Sequence, residues 1–248
     1  MQRFTRTRLL LGDERFSRLA GSHVAIIGLG AVGGYATEGL ARAGVCRLTL
    51  VDFDTLSISN INRQILALES TLGRSKAEAA RSRVLDINPH CRVEALELFA
   101  DEQTIGQIVA GRPDAVIDAI DSLNPKVQVL TALHRSGIKL FSSMGAALRT
   151  DPLQIRVSDI ADTRHCPLAR RMRKRLRAND IESGITCVYS TEPVDFAYQP
   201  PPAERPGDNP LEDRGRERRT LGSLPTLTAI FGLTLANEVI HYLCLKKT

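Results

Sequence analysis

Residues 23–34 read HVAIIGLGAVGG, and this stretch decides the fold of the chain. Residues 23–28 form a short apolar run that ends in a glycine turn, as is typical of a buried β-strand. The turn carries the pattern G-x-G-x-x-G extended by one residue, made by Gly28, Gly30, Gly33 and Gly34. Residues 31–43 are rich in Ala, Leu and Glu and predict a helix that begins at this turn. A second strand is predicted over residues 46–51, and Asp52 follows it directly.

The order strand, glycine turn, helix, strand and acid indicates a nucleotide-binding Rossmann half. A side chain at the first or second glycine would block the tight turn or the approach of a phosphate to backbone N–H groups, and the following helix N-terminus attracts that phosphate. Asp52 is expected to accept hydrogen bonds from ribose hydroxyls. Asp54 lies on the same side, where it either caps the turn at 55–58 or contacts a ligand or metal. Glycines that serve packing alone are the less favoured interpretation, because the acid follows at the right distance.

The rest of the chain predicts an α/β fold in which strands and helices alternate. Strands are predicted at 91–98, 115–119 and 138–142, and helices at 74–87, 101–110 and 125–135. Such alternation favours a doubly wound, mostly parallel sheet with helices on both faces. We expect one adenylating domain over 1–248, with a nucleotide-binding core at 1–150. The C-terminal elaboration, 151–248, is expected to hold strands at 153–157 and 185–190, a basic helix, a flexible loop at 199–222 and a final packing helix.

Composition excludes several classes of protein. The 248 residues are 43% hydrophobic, enough to bury a core, and the 4% aromatic content without Trp disfavours a stacking platform for single-stranded bases. The five cysteines form no C-x-x-C pair, so neither a zinc ribbon nor a disulfide framework is indicated, and a reducing cytoplasm is expected. The N-terminal residues lack the apolar run of a signal peptide. The apolar stretch 224–245 contains Thr, Asn, Glu and His, which are costly at mid-membrane, so we expect a core helix and no membrane partner.

A polar cluster follows the second strand, where residues 59–64 read SNINRQ. Arg63 offers a planar fork of donors that suits phosphate oxygens. Its neighbours Asn60, Asn62 and Gln64 can fix its approach or contact the nucleotide. Lys76 begins a predicted helix, where its ammonium would lie near the same phosphates. Each cation alone would be interpreted as a solvated surface charge, but together they indicate a triphosphate ligand.

A second acidic segment, DAIDS, ends a predicted strand at residues 118–122. Asp121 lies just past the strand end, where α/β sheets bind ligands, and it can hold a magnesium ion that bridges phosphates. Asp118 lies within the strand and is interpreted as structural.

These segments resemble a known family. GLGAVGG, DFD, NRQ, the lysine of GRSK and DAIDS, in this order and spacing, resemble the ThiF/MoeB/HesA superfamily, the adenylating relatives of ubiquitin-activating enzymes. The resemblance implies that Asp52 binds ribose, that Arg63 and Lys76 engage the ATP phosphates and that Asp121 serves Mg²⁺. It also implies a homodimer in which an N-terminal arginine reaches the ATP of the neighbouring subunit. Arg6 is the candidate for that arginine, with Arg3 as the alternative.

The second half of the chain narrows the resemblance. The stretches INPHCRVE, DPLQIRVSDIADT, CPLARRMRKRLR and GITCVYSTE resemble the tRNA threonylcarbamoyladenosine dehydratase branch of the superfamily. That branch implies an ATP-dependent cyclisation of N6-threonylcarbamoyladenosine beside the tRNA anticodon, by carboxylate adenylation and intramolecular ring closure. The first alternative is an adenylyltransferase for the C-terminal glycine of a ubiquitin-like sulfur carrier, which the missing C-x-x-C pairs disfavour. A nicotinamide oxidoreductase is a further alternative, but it leaves NRQ and Lys76 without a purpose. A non-catalytic tRNA- or nucleotide-binding module is another, and the intact Arg63, Lys76 and Asp121 speak against it.

A run of positive charge agrees with an RNA substrate. Six cations fall within one predicted helix: Arg170, Arg171, Arg173, Lys174, Arg175 and Arg177. Such a run usually marks a solvated face, but a tRNA substrate favours phosphate contacts. Arg216, Arg218 and Arg219 in the predicted loop would add to this surface.

Cys187, in GITCVYSTE, is open to two interpretations. We favour a small buried apolar residue over a sulfur-handling or acyl-accepting nucleophile. The resemblance leaves open a sulfur-relay protein partner. It also leaves open a monovalent cation, Na⁺ or K⁺, near residues 143–147, where SSMGAALRTDP departs from a more glycine-rich segment of the branch.

Overall fold

A computed structural model describes residues 2–194 and 221–245 of the chain. The strands within these ranges are β1 (His23–Ile27), β2 (Arg47–Val51), β3 (Arg92–Leu96), β4 (Ala115–Asp118), β5 (Lys139–Ser143), β6 (Ile155–Asp159) and β7 (Ile185–Ser190). They form one sheet in the order β3-β2-β1-β4-β5-β7-β6. Neighbouring strands are parallel except β6, which runs antiparallel to β7. The predicted doubly wound, mostly parallel sheet is therefore confirmed.

Helices cover both faces of the sheet. They are α1 (Thr5–Leu11), α2 (Asp13–Gly21), α3 (Gly33–Ala43), α4 (Lys76–Ile87), α5 (Ile105–Ile108), α6 (Leu123–Arg135), α7 (Pro167–Arg177) and α8 (Pro225–Leu245). Short 3₁₀ helices lie at Gln2–Phe4, Ile58–Asn60, Glu69–Thr71, Pro152–Gln154 and Ile160–Asp162. The helices α2, α3, α4 and α8 pack on one face, and α5, α6 and α7 pack on the other.

The central strands contribute side chains to both cores. Along β1, Val24 and Ile26 join the core under α3 and α8, whereas Ala25 and Ile27 join the core under α6 and α7. Successive strand residues point to opposite faces, so a strand covered on both sides reads as a continuous apolar run. This is why the strands could be located from sequence.

Two predicted elements differ from the observed ones. The helix predicted at 101–110 is reduced to the single turn α5, because the Asp101 carboxylate accepts backbone N–H groups of Gln103 and Thr104 and closes a turn instead. The strand predicted at 153–157 is displaced to Ile155–Asp159, because Asp151 caps a 3₁₀ turn before it. The N-terminal helices α1 and α2 were not predicted.

The last helix, α8, packs along α3 and the sheet. Its side chains Phe231, Leu235 and Val239 are buried in the core, and a Cβ at Gly232 would lie 2.3 Å from the Val32 carbonyl oxygen. Within the described ranges, α8 is the one helix long and apolar enough to cross a membrane by length and composition, and half of its most apolar window is buried. The packing confirms the core-helix interpretation. The predicted loop lies, up to residue 220, outside the described residues, as do Arg216, Arg218 and Arg219.

Glu38 of α3 forms two ion pairs, one within α3 and one that links α3 to α4. Its carboxylate accepts a hydrogen bond from Arg42 Nε at 2.6 Å and from Arg83 Nε at 2.5 Å. Burial raises the pKa of Glu38, but the two arginines outweigh burial and hold that pKa below its usual value.

The strand order reverses direction between β1 and β4. From β1 the chain builds outward through β2 and β3 on one side, and through β4 and β5 on the other. A crevice forms at such a reversal, beyond the carboxyl ends of the strands, and open α/β sheets bind their ligands there. The glycine turn after β1 and the acidic segment after β4 meet at this point.

Candidate active site

The glycine turn contains glycines required by packing and one that packing does not explain. Gly28 has a left-handed φ of 87°, and a Cβ there would lie 2.9 Å from the Ala119 carbonyl oxygen. A Cβ at Gly33 would lie 1.7 Å from the Gly28 carbonyl oxygen. At Gly30 the nearest atom would be Gln64 Nε2 at 3.8 Å, which is ordinary contact. Gly30 therefore leaves a cradle in which a phosphate can approach the backbone.

Gly34 is explained by packing as well. Its Cβ would lie 3.1 Å from Ile65 Cγ2, so the small residue lets α3 approach the segment that follows SNINRQ.

Asp52 is buried at the carboxyl end of β2 and ties two loops together. One carboxylate oxygen accepts the Leu29 N–H at 2.7 Å, and the other accepts the Asp54 N–H at 2.9 Å. Burial raises the pKa of Asp52, and the Lys76 charge and the two backbone bonds offset part of that rise. Each oxygen keeps a second lone pair, so ribose hydroxyls can still donate to this carboxylate.

Lys76 begins α4 and forms an ion pair with Asp54. The Lys76 Nζ lies 2.8 Å from Asp54 Oδ2, and the two side chains are 7% and 18% exposed. The Lys76 N–H also donates to the Asp54 carbonyl oxygen at 3.0 Å. In the described structure Asp54 pairs with Lys76, and its expected contact with a ligand or metal stays a prediction. Asp54 holds the ammonium of Lys76 beside the loop that follows β2.

The SNINRQ segment folds as a tight turn that fixes the side chain of Arg63. The guanidinium of Arg63 donates to the Ser59 carbonyl oxygen at 2.9 Å and to Asn62 Oδ1 at 2.8 Å. Asn62 thus fixes the approach of Arg63, as predicted. Asn60 Oδ1 accepts the Ser57 N–H at 3.2 Å. The amide oxygen of Asn60 closes the turn, and the expected contact of Asn60 with the nucleotide stays a prediction.

Gln64 supplies a buried acceptor beside the glycine cradle. Its side chain is 7% exposed, and Oε1 has no hydrogen-bond partner among the described residues. Leaving a buried acceptor unpaired costs about 1–3 kcal/mol. Since its amide nitrogen faces Gly30, the unpaired oxygen is suited to a donor from a nucleotide bound in the cradle.

The segment after β4 is fixed by a fully buried ion pair. Lys126 Nζ lies 2.6 Å from Asp118 Oδ2, and both side chains are 0% exposed. Lys126 also donates to the Ile120 carbonyl oxygen at 3.0 Å, while Asp118 Oδ1 accepts the Ile120 N–H at 3.1 Å. These bonds hold both sides of the Ile120 backbone, so the turn that presents Asp121 is rigid. Asp118 is structural, as expected.

Sequence reasoning missed Lys126, although a signal was present. It lies four and seven residues before Leu130 and Leu133, which are buried on the same face of α6. A cation within such an apolar stripe indicates a buried counter-ion.

Asp121 is exposed beyond the end of β4 and accepts a hydrogen bond from the Ser122 hydroxyl at 3.2 Å. Within the described residues, no group of three His, Cys, Asp or Glu side chains is placed to hold a metal ion. Mg²⁺ is usually held by one or two carboxylates together with substrate phosphates. Asp121 therefore fits a magnesium ion that arrives with a nucleotide.

The two N-terminal arginines differ in their contacts. The Arg3 guanidinium donates to the Ile87 carbonyl oxygen at the end of α4. Arg6 is exposed on α1 and has no side-chain partner among the described residues. Arg6 is thus the freer of the two, and its expected reach into a neighbouring subunit stays a prediction.

The structure divides the cations of α7 into two groups. Arg173 donates to the Thr163 carbonyl oxygen at 2.7 Å, and Arg175 donates to Asn124 Oδ1. One guanidinium nitrogen of Arg173 is thus bound to Thr163, and its expected role as an RNA contact stays a prediction. Four cations are exposed with no hydrogen bond or ion pair to other described residues: Arg170, Arg171, Lys174 and Arg177.

Cys187 lies in the middle of the sheet, opposite Ser142 of β5, and is fully buried. Burial raises the pKa of its thiol well above the usual value. A thiol that neither ionises nor meets solvent is a poor nucleophile. The preferred interpretation, a small buried apolar residue, is confirmed.

The sequence profile of the ThiF family matches residues 4–248. The tRNA threonylcarbamoyladenosine dehydratase of Bacillus subtilis is 41% identical over 192 residues, which cover 77% of this chain and 76% of that protein. The molybdopterin-synthase adenylyltransferase of Salmonella typhimurium is 34% identical over 190 residues, which cover 76% and 72%.

Solved structures extend the likeness to the whole fold. The chain is similar to the crystal structure of Escherichia coli tRNA N6-threonylcarbamoyladenosine dehydratase in complex with AMP, with a TM-score of 0.85 and 32% identity over 98% of this chain and 94% of that one. The same enzyme in complex with ATP gives a TM-score of 0.84 at 33% identity, over 98% and 93%.

Proposed function

Because the chain belongs to the ThiF family, we propose that it is an ATP-dependent enzyme that dehydrates N6-threonylcarbamoyladenosine beside the anticodon of tRNA. The observation that carries the proposal is the assembly at the sheet reversal. Lys76 with its partner Asp54, the open cradle at Gly30 and the rigid turn of Asp121 occupy neighbouring strand ends. A triphosphate bound at this edge of the sheet would meet the ammonium of Lys76, the backbone N–H groups of the glycine turn and the carboxylate of Asp121.

The first half of the reaction is transfer of AMP to the substrate. The threonyl carboxylate attacks the α-phosphorus of ATP, the bond to the β-phosphate oxygen breaks, and pyrophosphate leaves. Arg63 and Lys76 neutralise the charge that moves onto the pyrophosphate, and Asp52 holds the ribose. Mg²⁺ at Asp121 would supply Lewis-acid stabilisation of the phosphate oxygens. These groups position reactants and neutralise charge rather than form covalent bonds with them.

The second half is ring closure. A nitrogen of the same modification attacks the activated carbonyl, loses its proton to solvent, and expels AMP. The nucleoside loses one water in total, and ATP becomes AMP and pyrophosphate. No enzymic nucleophile takes part, which agrees with the buried and un-ionised Cys187.

The free cations of α7 are proposed to bind tRNA phosphates. Arg170, Arg171, Lys174 and Arg177 face solvent, and α7 carries no acidic residue. We also propose a single adenylating domain over 1–248 that acts as a homodimer in the cytoplasm, with Arg6 reaching the neighbouring nucleotide. The proposal includes two further components, a sulfur-relay protein partner and a Na⁺ or K⁺ ion. Each is tested by measuring the dehydration activity with and without it.

The second candidate is an adenylyltransferase for a ubiquitin-like sulfur carrier, which the likeness to the molybdopterin-synthase enzyme favours. The cysteines argue against it. Four of the five are buried, none is paired as C-x-x-C, and Cys187 has a raised pKa. The dehydratase therefore accounts better for the chain.

One assay separates the two candidates. Incubate the protein with ATP, Mg²⁺ and threonylcarbamoylated tRNA, digest the tRNA, and weigh the nucleosides. We expect the modified nucleoside to lose one water, with AMP formed in equal amount. An unchanged nucleoside, together with ATP–pyrophosphate exchange that depends on a ubiquitin-like protein, would favour the adenylyltransferase.

Site variants test the assigned roles in the same assay. Asp121→Asn and Lys76→Met are expected to lower turnover by at least about 100-fold, because each removes a charge that stabilises the transferring phosphate. Arg92→Gln, at an exposed position at the amino end of β3 and so at the sheet edge opposite to the site, serves as the control and should retain wild-type turnover. Full activity of either site variant would remove that residue from the mechanism.

A further inference from the structure

Arg149 is a buried arginine with two guanidinium nitrogens that have no partner among the described residues. It lies six residues beyond the end of β5, its exposed fraction is 2%, and its Nε and Nη1 atoms have no hydrogen-bond partner among the described residues. The guanidinium stays protonated in proteins. A buried charge with unpaired donors is unfavourable, so such a group is normally paired with an anion.

The neighbouring carboxylate is already used by other donors. Glu192 accepts hydrogen bonds from the Thr150 N–H, the Thr150 hydroxyl and the Asp151 N–H at 2.8–3.1 Å. These bonds, chiefly that from Asp151, hold the pKa of Glu192 below its usual value, and the nearby Arg149 charge adds to them. No ion pair joins Glu192 to Arg149 within the described part of the chain.

The backbone beside Arg149 is strained. Leu148 has a φ of 62°, a left-handed conformation that is unfavourable for a residue with a side chain. Its N–H donates to the Gly222 carbonyl oxygen at 2.9 Å, which holds that conformation. Strained backbone of this kind concentrates at functional sites.

The strand order places the carboxyl end of β5 on the side of the nucleotide site opposite to the ribose, and Arg149 lies in the segment that follows this end. Asp52 marks the ribose end after β2, the glycine turn follows β1, Asp121 follows β4, and Arg149 follows β5. Strands are spaced by about 4.8 Å, so the β5 end lies about 5 Å beyond β4 and about 10 Å beyond β1. A substrate that meets the phosphates from the side away from the ribose would pass this position.

We propose that Arg149 forms a subsite for the carboxylate of the acyl substrate and aligns it for attack on the α-phosphate. The inference rests on the proposed function and adds a residue that recognises the substrate. An arginine fork matches a carboxylate in a bidentate fashion, which gives direction as well as charge. Ring closure removes that carboxylate, so the subsite favours the substrate over the cyclised product.

The test is a binding measurement without ATP. Titrate the protein with an anticodon stem-loop RNA that carries threonylcarbamoyladenosine, and with the same RNA as its methyl ester. The wild type is expected to bind the carboxylate about 10- to 150-fold more tightly, as hydrogen bonds to a charged group would give. Arg149→Gln is expected to bind both RNAs equally. A wild type that binds acid and ester alike would overturn the proposal without recourse to any variant.

Three controls make the result specific. Arg156→Gln removes an exposed arginine of β6 whose guanidinium donates to the carbonyl oxygens of Leu153 and Ile155, and it should keep the preference for the acid. Arg149→Lys, which keeps the charge but loses the fork, is expected to keep a reduced preference. Arg149→Gln should bind ATP as the wild type does, and weaker ATP binding would assign the anion to a nucleotide phosphate and overturn the carboxylate assignment.

Thermal melting separates recognition from a structural role. If Arg149 serves the substrate, Arg149→Met removes an unpaired buried charge, and the ligand-free protein should melt at or above the wild-type temperature. A lower melting temperature with an unchanged preference for the acid would assign Arg149 to structure. Wild-type water loss with no preference for the acid would refute this subsite alone, whereas absence of water loss would refute the proposed function.

Discussion

Two glycines of one turn provide a matched test of whether phosphates approach the backbone after β1. A methyl group at Gly33 would lie 1.7 Å from the Gly28 carbonyl oxygen, so backbone has to move. A methyl group at Gly30 meets Gln64 Nε2 at 3.8 Å and nothing closer, and Gly30 is not among the left-handed glycines. Gly33→Ala should therefore affect folding, whereas Gly30→Ala should affect ligand binding.

The magnitudes follow from these contacts. Overpacking at Gly33 costs about 1–3 kcal/mol or more, which lowers the melting temperature by about 2–12 °C in a chain of this size. Gly30→Ala should leave it unchanged or raise it slightly, because alanine restricts the unfolded chain. The methyl group occupies the cradle, and each charge-assisted hydrogen bond it prevents is worth about 1.5–3 kcal/mol. ATP should therefore bind Gly30→Ala about 10- to 150-fold more weakly.

Isothermal titration with ATP and Mg²⁺, with thermal melting of both variants, measures the two effects separately. Wild-type ATP affinity in a folded Gly30→Ala protein would refute the cradle, because the added methyl group would then share no space with the phosphates. Normal stability of Gly33→Ala would refute the packing argument instead.

The remaining predictions concern charge. Lys126→Met leaves Asp118 buried and unpaired, which should cost about 3–5 kcal/mol and lower the melting temperature by about 6–20 °C. Glu38→Gln should cost about 1–2 kcal/mol at pH 7, after allowance for the exposure of its arginine partners. Because the folded pKa of Glu38 is lowered, this contribution is complete above the ordinary carboxyl pKa of about 4.3 and is lost as the pH falls through the folded value. Replacing Arg170 and Arg171 by Gln should reduce the salt dependence of tRNA binding by about two phosphate contacts.

Each of the three charge predictions has a control or an outcome that would contradict it. The double variant Asp118→Asn with Lys126→Met removes both charges of the buried pair and should be more stable than Lys126→Met alone. For Glu38, equal destabilisation at pH 7 and pH 3 would contradict an electrostatic origin. For the basic helix, Arg92→Gln on β3 should leave the salt dependence unchanged, and the same slope in the double arginine variant would remove α7 from the RNA surface.

Much of the fold could be predicted from the sequence, because the signals that specify it are local. Both faces of β1, β2 and β4 are covered, so these strands read as short apolar runs. The glycine turn and the alternation of strands with helices then determine a parallel sheet. The helix at 101–110 was overestimated for a local reason as well, since Asp101 and Thr104 compete for the backbone N–H groups that a helix would use.

In the site, too, the features that depend on local sequence could be predicted, and those that depend on distant segments could not. Sequence alone identified the types of group at the strand ends, from Asp52 to Asp121, because each follows a recognisable strand or turn. Their pairing depends on segments far apart in the chain. Asp54 and Lys76 are 22 residues apart, and they meet because the chain returns to the same strand end.

Only the tertiary structure decided which basic side chains form hydrogen bonds or ion pairs with other parts of the protein and which remain available to a ligand. Within the run of α7, residues outside the helix accept hydrogen bonds from Arg173 and Arg175, whereas Arg170 and Arg171 have no such partner in the part of the chain that the structure describes. Lys126 has a buried counter-ion, whereas Arg149 has none within the described ranges, although both are long basic side chains. The physical reason is that the cost of a buried charge depends on the atoms that surround it in space, and no local pattern in the sequence specifies those atoms.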